Sequence, residues 1–107
     1  MIARTWRGST TPAKADDYSR HFTREVVPNL KRIAGHKGAY LLRRETGGRV
    51  EFLAVTLWDS LETIRKFSGP DPEVAHIEPE GRAALTEFDE FARNYEIVCD
   101  TISVPSA

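Results

Sequence analysis

The sequence predicts one small α+β domain with the element order strand, helix, strand, strand, helix, strand. Three observations predict it. Short segments rich in β-branched and aromatic residues alternate with segments whose apolar residues recur at helical spacing. Gly47-Gly48 separates two of the strand segments, as a tight hairpin requires. The chain has 107 residues, one domain's worth, and at that size folding buries roughly two-thirds of the unfolded surface.

Each element follows in turn. Residues 2–7 read as a first strand, with a turn expected from Gly8 to Thr11. Thr11-Pro12 is a helix start, because Thr can cap and Pro has no N–H to leave unpaired at the first helical position. Tyr18, Phe22, Val26, Leu30 and Ile33 then form one apolar stripe, and Pro28 inside it predicts a kink near Val27. Gly35 should end this helix. Residues 39–45 and 49–58 read as an antiparallel hairpin. Asp59 is the expected cap of a second helix, with Glu62 completing a capping-box-like pattern and Leu61, Ile64 and Phe67 as its apolar face. Gly69-Pro70 stops it. Residues 70–80, with three prolines, form a loop; Glu80 to Thr86 allow a short helical turn. Ala92 to Asp100 read as the last strand. The domain is expected over 1–100, with a tail at 101–107 that frays from Ser103 to Ala107.

That order is the split βαβ arrangement of the ferredoxin-like fold, with an antiparallel sheet. The run Phe52 to Trp58 does not alternate apolar with polar residues, as a strand with one wet face should. Two helices cover one face of the sheet, so the other face calls for a second copy of the chain, a homodimer.

Composition excludes several classes. Lys and Arg number 15 against 16 Asp and Glu, a net charge of −1, with 40% hydrophobic and 29% charged residues. A balance near zero gives no pull toward nucleic acid or an anionic membrane. Arg43-Arg44 reads as two solvated side chains. Cys99 is the only cysteine, so neither an internal disulfide nor a multi-cysteine metal site is expected. The start, MIARTWRG, has no apolar segment of a signal peptide, and no run approaches the roughly 20 apolar residues of a membrane span. A cytoplasmic protein is the expectation. Nucleotide-binding glycine motifs, the serine-hydrolase elbow and the zinc-protease helix motif are absent.

The sequence resembles the antibiotic biosynthesis monooxygenase-like family of the dimeric α+β barrel superfamily. The resemblance spans about residues 1–99. It rests on WRG at 6–8, TTP at 10–12, LLRRE at 41–45, LWDSLETIRKF at 57–67 and FDEFARNYEIV at 88–98, in that order. It implies two sheets paired into a barrel and a pocket between sheet and helices in each subunit. It also implies oxidation of aromatic polyketide-like substrates by dioxygen without metal or flavin, although other members degrade haem, isomerise small molecules or have no assigned activity.

Candidate site residues follow from both readings. Arg4 and Trp6 share one face of the first strand by period-two alternation, and Tyr95 on the last strand is expected to join them. An arginine in an apolar pocket needs an anionic partner, such as a substrate carboxylate or enolate. His76, beside the proline-rich loop, could move a proton near neutral pH. Arg4, Tyr95 and His76 are therefore the catalytic candidates. Trp6, Phe22, Trp58 and Phe67 are the candidate aromatic walls for a flat ligand, with core packing the plainer role for Trp6 and Trp58. In the haem-degrading relatives an iron-ligating histidine follows the second helix, as His76 does. Those relatives also use a first-strand asparagine and a second-helix tryptophan. Here the first strand reads Ile2, Ala3, Arg4, Thr5, Trp6, and the helix has Ile64 and Phe67. No metal and no cofactor are therefore expected. His21 is expected to stay wet, His36 to have no role, and the carboxylates of Glu87, Asp89 and Glu90 to form a solvated turn. Two functions remain: a cofactor-independent monooxygenase acting on a small aromatic or quinone-like metabolite, or a dimeric barrel that binds a small ligand without turning it over.

Overall fold

The computed structural model describes residues 1–102; from residue 103 the expected tail lies outside the described residues. Strand β1 (Ile2–Thr10) leads to helix α1 (Pro12–His21), a wide turn at Phe22–Val26 and a short helix α2 (Val27–Lys31). The hairpin β2 (His36–Thr46) and β3 (Arg49–Trp58) follows, then α3 (Leu61–Ser68), α4 (Pro79–Ala84), β4 (Glu87–Phe88) and β5 (Arg93–Glu96). The sheet is antiparallel with order β2-β3-β1, and both β4 and β5 pair the far edge of β1. This is the predicted ferredoxin-like α+β arrangement.

Alternation places the core. Val50, Phe52, Ala54, Thr56 and Trp58 of β3 are buried beneath the helices, and Ile2, Arg4, Trp6, Gly8 and Thr10 share that face through the register Ile2↔Trp58 to Thr10↔Val50. Tyr18 and Phe22 pack on Phe52, Val50 and Leu85; Leu30, Trp58 and Ile64 form a second cluster. The helical stripe therefore does what its spacing predicts. Pro28 has no N–H for an intrahelical bond, and the helix widens just before it, where the Val27 N–H reaches back to the Phe22 carbonyl.

Several expectations are corrected. Strand β1 runs on to Thr10, so Gly8 is a strand residue and not part of a turn; a Cβ there would sit 3.0 Å from the Trp6 ring, which lies across it. The helix ends at Lys31. Gly35 instead turns the chain into β2 at φ 95°, where a Cβ would meet the Thr63 side chain at 2.5 Å. Ser60, not Asp59, caps α3: its Oγ accepts the Thr63 N–H at 3.3 Å, while the Asp59 carboxylate pairs with Lys37 at 3.4 Å. Leu61 faces outward, so Ile64 and Thr63 carry the buried face of α3. The last strand is shorter than expected, β5 ending at Glu96, and a separate two-residue strand, β4, precedes it. Between β4 and β5 the chain leaves β1 and holds the 69–78 connector, with the Ala75 N–H on the Glu90 carbonyl at 3.0 Å and the Ala92 N–H on the Glu73 carbonyl at 2.8 Å.

Among the described residues the opposite face of the sheet carries no helix. Leu53, Val55 and Leu57 of β3 are half-buried there, and Tyr40, Leu42 and Tyr95 are about half exposed. No helix among the described residues is long and apolar enough to cross a membrane.

Candidate functional site

Arg4 projects from the middle of β1 into the layer between sheet and helices and is 4% exposed. Its guanidinium donates to the carbonyl of Pro72 and, at 2.7 Å, to that of Val74. Asn94, paired with Arg4 in register, donates to the same Pro72 carbonyl at 2.9 Å. The Phe67 ring centroid lies 5.9 Å from the guanidinium carbon. No carboxylate pairs with Arg4 among the described residues, and burial lowers its pKa to about 10. The buried cation is thus satisfied only by neutral carbonyls, which leaves its charge without a counter-ion among the described residues.

Beside it is a cavity of about 50 Å³, room for a few water-sized groups. Trp6, Phe22 and Phe67 form its walls, Thr56 and Ala54 its floor. Tyr18 closes one side, its ring 5.0 Å from Phe52 and 6.2 Å from Trp6, and burial pushes its phenol pKa well up. His76 also lines the cavity, its ring edge-on to Phe67 at 4.9 Å. Glu78, Gly81 and His21 complete the wall.

The fold identifies what this arrangement is similar to. No protein-family model matches the chain, and no curated protein matches it by sequence. Solved structures match along nearly its whole length, three of them as follows. One is a protein from Bacillus cereus provisionally assigned as an antibiotic biosynthesis monooxygenase (14% identity, TM-score 0.66, 95% of this chain and 97% of that one). One is SnoaB, a cofactor-independent oxygenase from Streptomyces nogalater (13%, 0.59, 95% and 98%). One is an arginine-to-serine mutant of MhuD with two manganese protoporphyrin IX molecules per active site (19%, 0.62, 94% and 98%). The fold is that of the antibiotic biosynthesis monooxygenase-like proteins.

On this monooxygenase-like fold, the structure brings Arg4, Trp6, Phe22, Phe67 and His76 together in the cavity. It separates two other candidates. Tyr95 lies opposite Ala3 in the register, so its side chain stands on the uncovered face, 52% exposed. Trp58 is fully buried with Leu30 and Ile64, its indole N–H on Thr56 Oγ1 at 2.8 Å, and does not line the cavity. His36, expected to have no role, begins β2 and stacks edge-on to Trp58 at 5.0 Å. His21 corrects the expectation of a wet side chain: it is 8% exposed and faces the cavity. Tyr18 was legible only as a stripe residue; Thr56 and Glu78 gave no signal, since only the register of β3 and the path of the connector aim them inward. Glu87, Asp89 and Glu90 are not buried and stand outside the cavity.

Proposed function

We propose that the chain is a cofactor-independent monooxygenase acting on a small aromatic or quinone-like metabolite that binds as, or becomes, an anion. The observation that carries this is Arg4: a buried cation in an aromatic-walled cavity with no carboxylate of its own. An enolate or phenolate on the guanidinium would replace the Pro72 and Val74 carbonyls and stack on Trp6 and Phe67. Dioxygen would then oxidise the activated ring carbon from CH₂ to C=O, one oxygen atom entering the product and the other leaving as water. SnoaB, a cofactor-independent oxygenase of the same fold, supports the reaction class. Arg4 and His76 keep their proposed roles at the reacting centre; Trp6, Phe22 and Phe67 keep theirs as ligand walls. Tyr95 and Trp58 stand outside the cavity and are not part of the proposal.

A ring-sized ligand exceeds about 50 Å³, so binding requires the 69–78 connector to move off Arg4. The small volume favours a second reading, a binding protein that holds its ligand without turnover. Haem fits poorly. The first strand has no asparagine and α3 no tryptophan, and the His76 ring packs on Phe67. The uncovered sheet face, with Leu53, Val55 and Leu57, supports the homodimer. A cytoplasmic location belongs to the same proposal.

Oxygen uptake with a panel of hydroquinones and anthrones tests the reaction. Uptake in the wild type that Arg4→Met abolishes supports the oxygenase. Binding of the same compounds without uptake supports the second reading, and no binding at all sinks both.

A further inference from the structure

His21 sits at the end of α1, where it packs against α4. Gly81 makes the close approach possible: a Cβ there would stand 3.1 Å from both Cδ2 and Nε2 of the imidazole. Nδ1 is sealed from solvent without a hydrogen bond. Each ring nitrogen instead faces a carboxylate, Nε2 toward Glu78 at 3.9 Å and Nδ1 toward Glu80 at 3.6 Å. The two carboxylates belong to different compartments. Glu78 lines the cavity, whereas Glu80 is largely exposed and lines a cleft on the outer surface. His21 itself lines both.

We propose that His21 is a proton relay between the cavity and solvent, and the base that ionises a phenolic or enolisable ligand held against Arg4. This rests on the anion-binding reading of the cavity. One imidazole nitrogen takes the acidic O–H or C–H proton, directly or through Glu78. The electron pair of the broken bond stays on the ligand as the anion that Arg4 neutralises. The proton stays on the ring, an imidazolium held between Glu78 and Glu80, and it exchanges with water through the exposed Glu80; no electron moves. The unmade bond of Nδ1, 3.6 Å from Glu80, is of the loose kind that catalytic pairs show without substrate and tighten when charge develops.

The groups that face His21 are few. They are Tyr18 from its own helix, with ring centroids 6.2 Å apart, Glu78 from the connector and Glu80 from α4. Asp17, Arg20, Arg24 and Glu25 line the outer cleft. His76 shares the cavity but has Phe67 as its ring partner and no carboxylate paired with it among the described residues.

The test uses 4-nitrophenol, whose phenolate absorbs in the visible and whose phenol does not. At a pH where the free probe is mostly protonated, the wild type should bind it as phenolate. His21→Gln should still bind but show a phenolate-to-phenol ratio about tenfold lower, the effect of one pKa unit. Glu80→Gln, a surface change that leaves the fold intact, should move the midpoint of bound-probe ionisation to higher pH. Equal ionisation in all three proteins overturns the relay while leaving the cavity reading standing. Failure of the wild type to bind the probe overturns both. If His21→Gln does not fold, Glu80→Gln decides alone, and an unmoved midpoint refutes the relay.

Discussion

The guanidinium of Arg4 lies between the Phe67 ring, 5.9 Å away, and the main chain of the 69–78 connector, whose Val74 carbonyl it holds at 2.7 Å. One side chain from the middle of the sheet thus pins a loop that carries His76 at its end. Arg4→Met keeps the apolar volume and removes the donors. We expect a folded protein in which the Val74 and Ala75 amides exchange with solvent at least several-fold faster, read by hydrogen-exchange mass spectrometry. Unchanged exchange would mean that the connector is held by its bonds to Glu90 and Ala92 alone.

Trp58 is fully buried between Leu30, Ile64 and the edge of His36. Trp58→Ala should cost about 3–5 kcal/mol, a large share of the stability of a domain this size. Thermal or urea melts read this directly. A variant that melts like the wild type would refute the core assignment.

The start of α3 separates two neighbouring residues. Ser60→Ala removes the bond to the Thr63 N–H and should cost about 1 kcal/mol. Asp59→Ala removes only an exposed pair with Lys37 and should cost less than about 1 kcal/mol. The reverse ranking in chemical denaturation would restore Asp59 as the cap.

His36 gives stability a pH dependence. Desolvation lowers its pKa below 6.5, outweighing the opposing bond to Gly38. The folded state therefore favours the neutral ring. Its stabilisation is complete above 6.5 and is lost as the pH falls from there through the lower folded-state value. Melting temperature against pH should fall more steeply over that window for the wild type than for His36→Gln. Parallel curves would show that His36 does not contribute.

The uncovered sheet face predicts self-association. Sedimentation should give about twice the 12.1 kDa chain mass, as expected for an obligate apolar interface. Leu53→Glu, which puts a charge among Tyr40, Leu42 and Val55, should shift the protein to monomer. A wild type that sediments as a monomer at micromolar concentration would remove the dimer.

Local physics made most of the fold legible. The stripe from Tyr18 to Leu30, the hairpin at Gly47-Gly48 and the stop at Gly69 depend on spacing, positive φ and the missing N–H of Pro28, all properties of neighbouring residues. Period-two alternation likewise placed Arg4 and Trp6 on one face, because that face is set within a single strand. It did not place Tyr95, because the side of the sheet on which Tyr95 emerges is fixed by pairing with Ala3 across more than 90 residues of chain, and a one-residue slip inverts it. Asn94, one residue earlier, is the one that reaches Pro72 beside Arg4. The burial of His21 was decided the same way. Nothing near it in sequence distinguishes an edge residue of an amphipathic helix from a buried one. Only the docking of α4, with Gly81 in place of a larger residue, closes over the imidazole and leaves it between two carboxylates. The sequence alone thus determined the elements and the cationic strand residue, because both follow from short-range periodicity. The tertiary structure decided which titratable groups meet, because that depends on register and on the packing of segments distant in the chain.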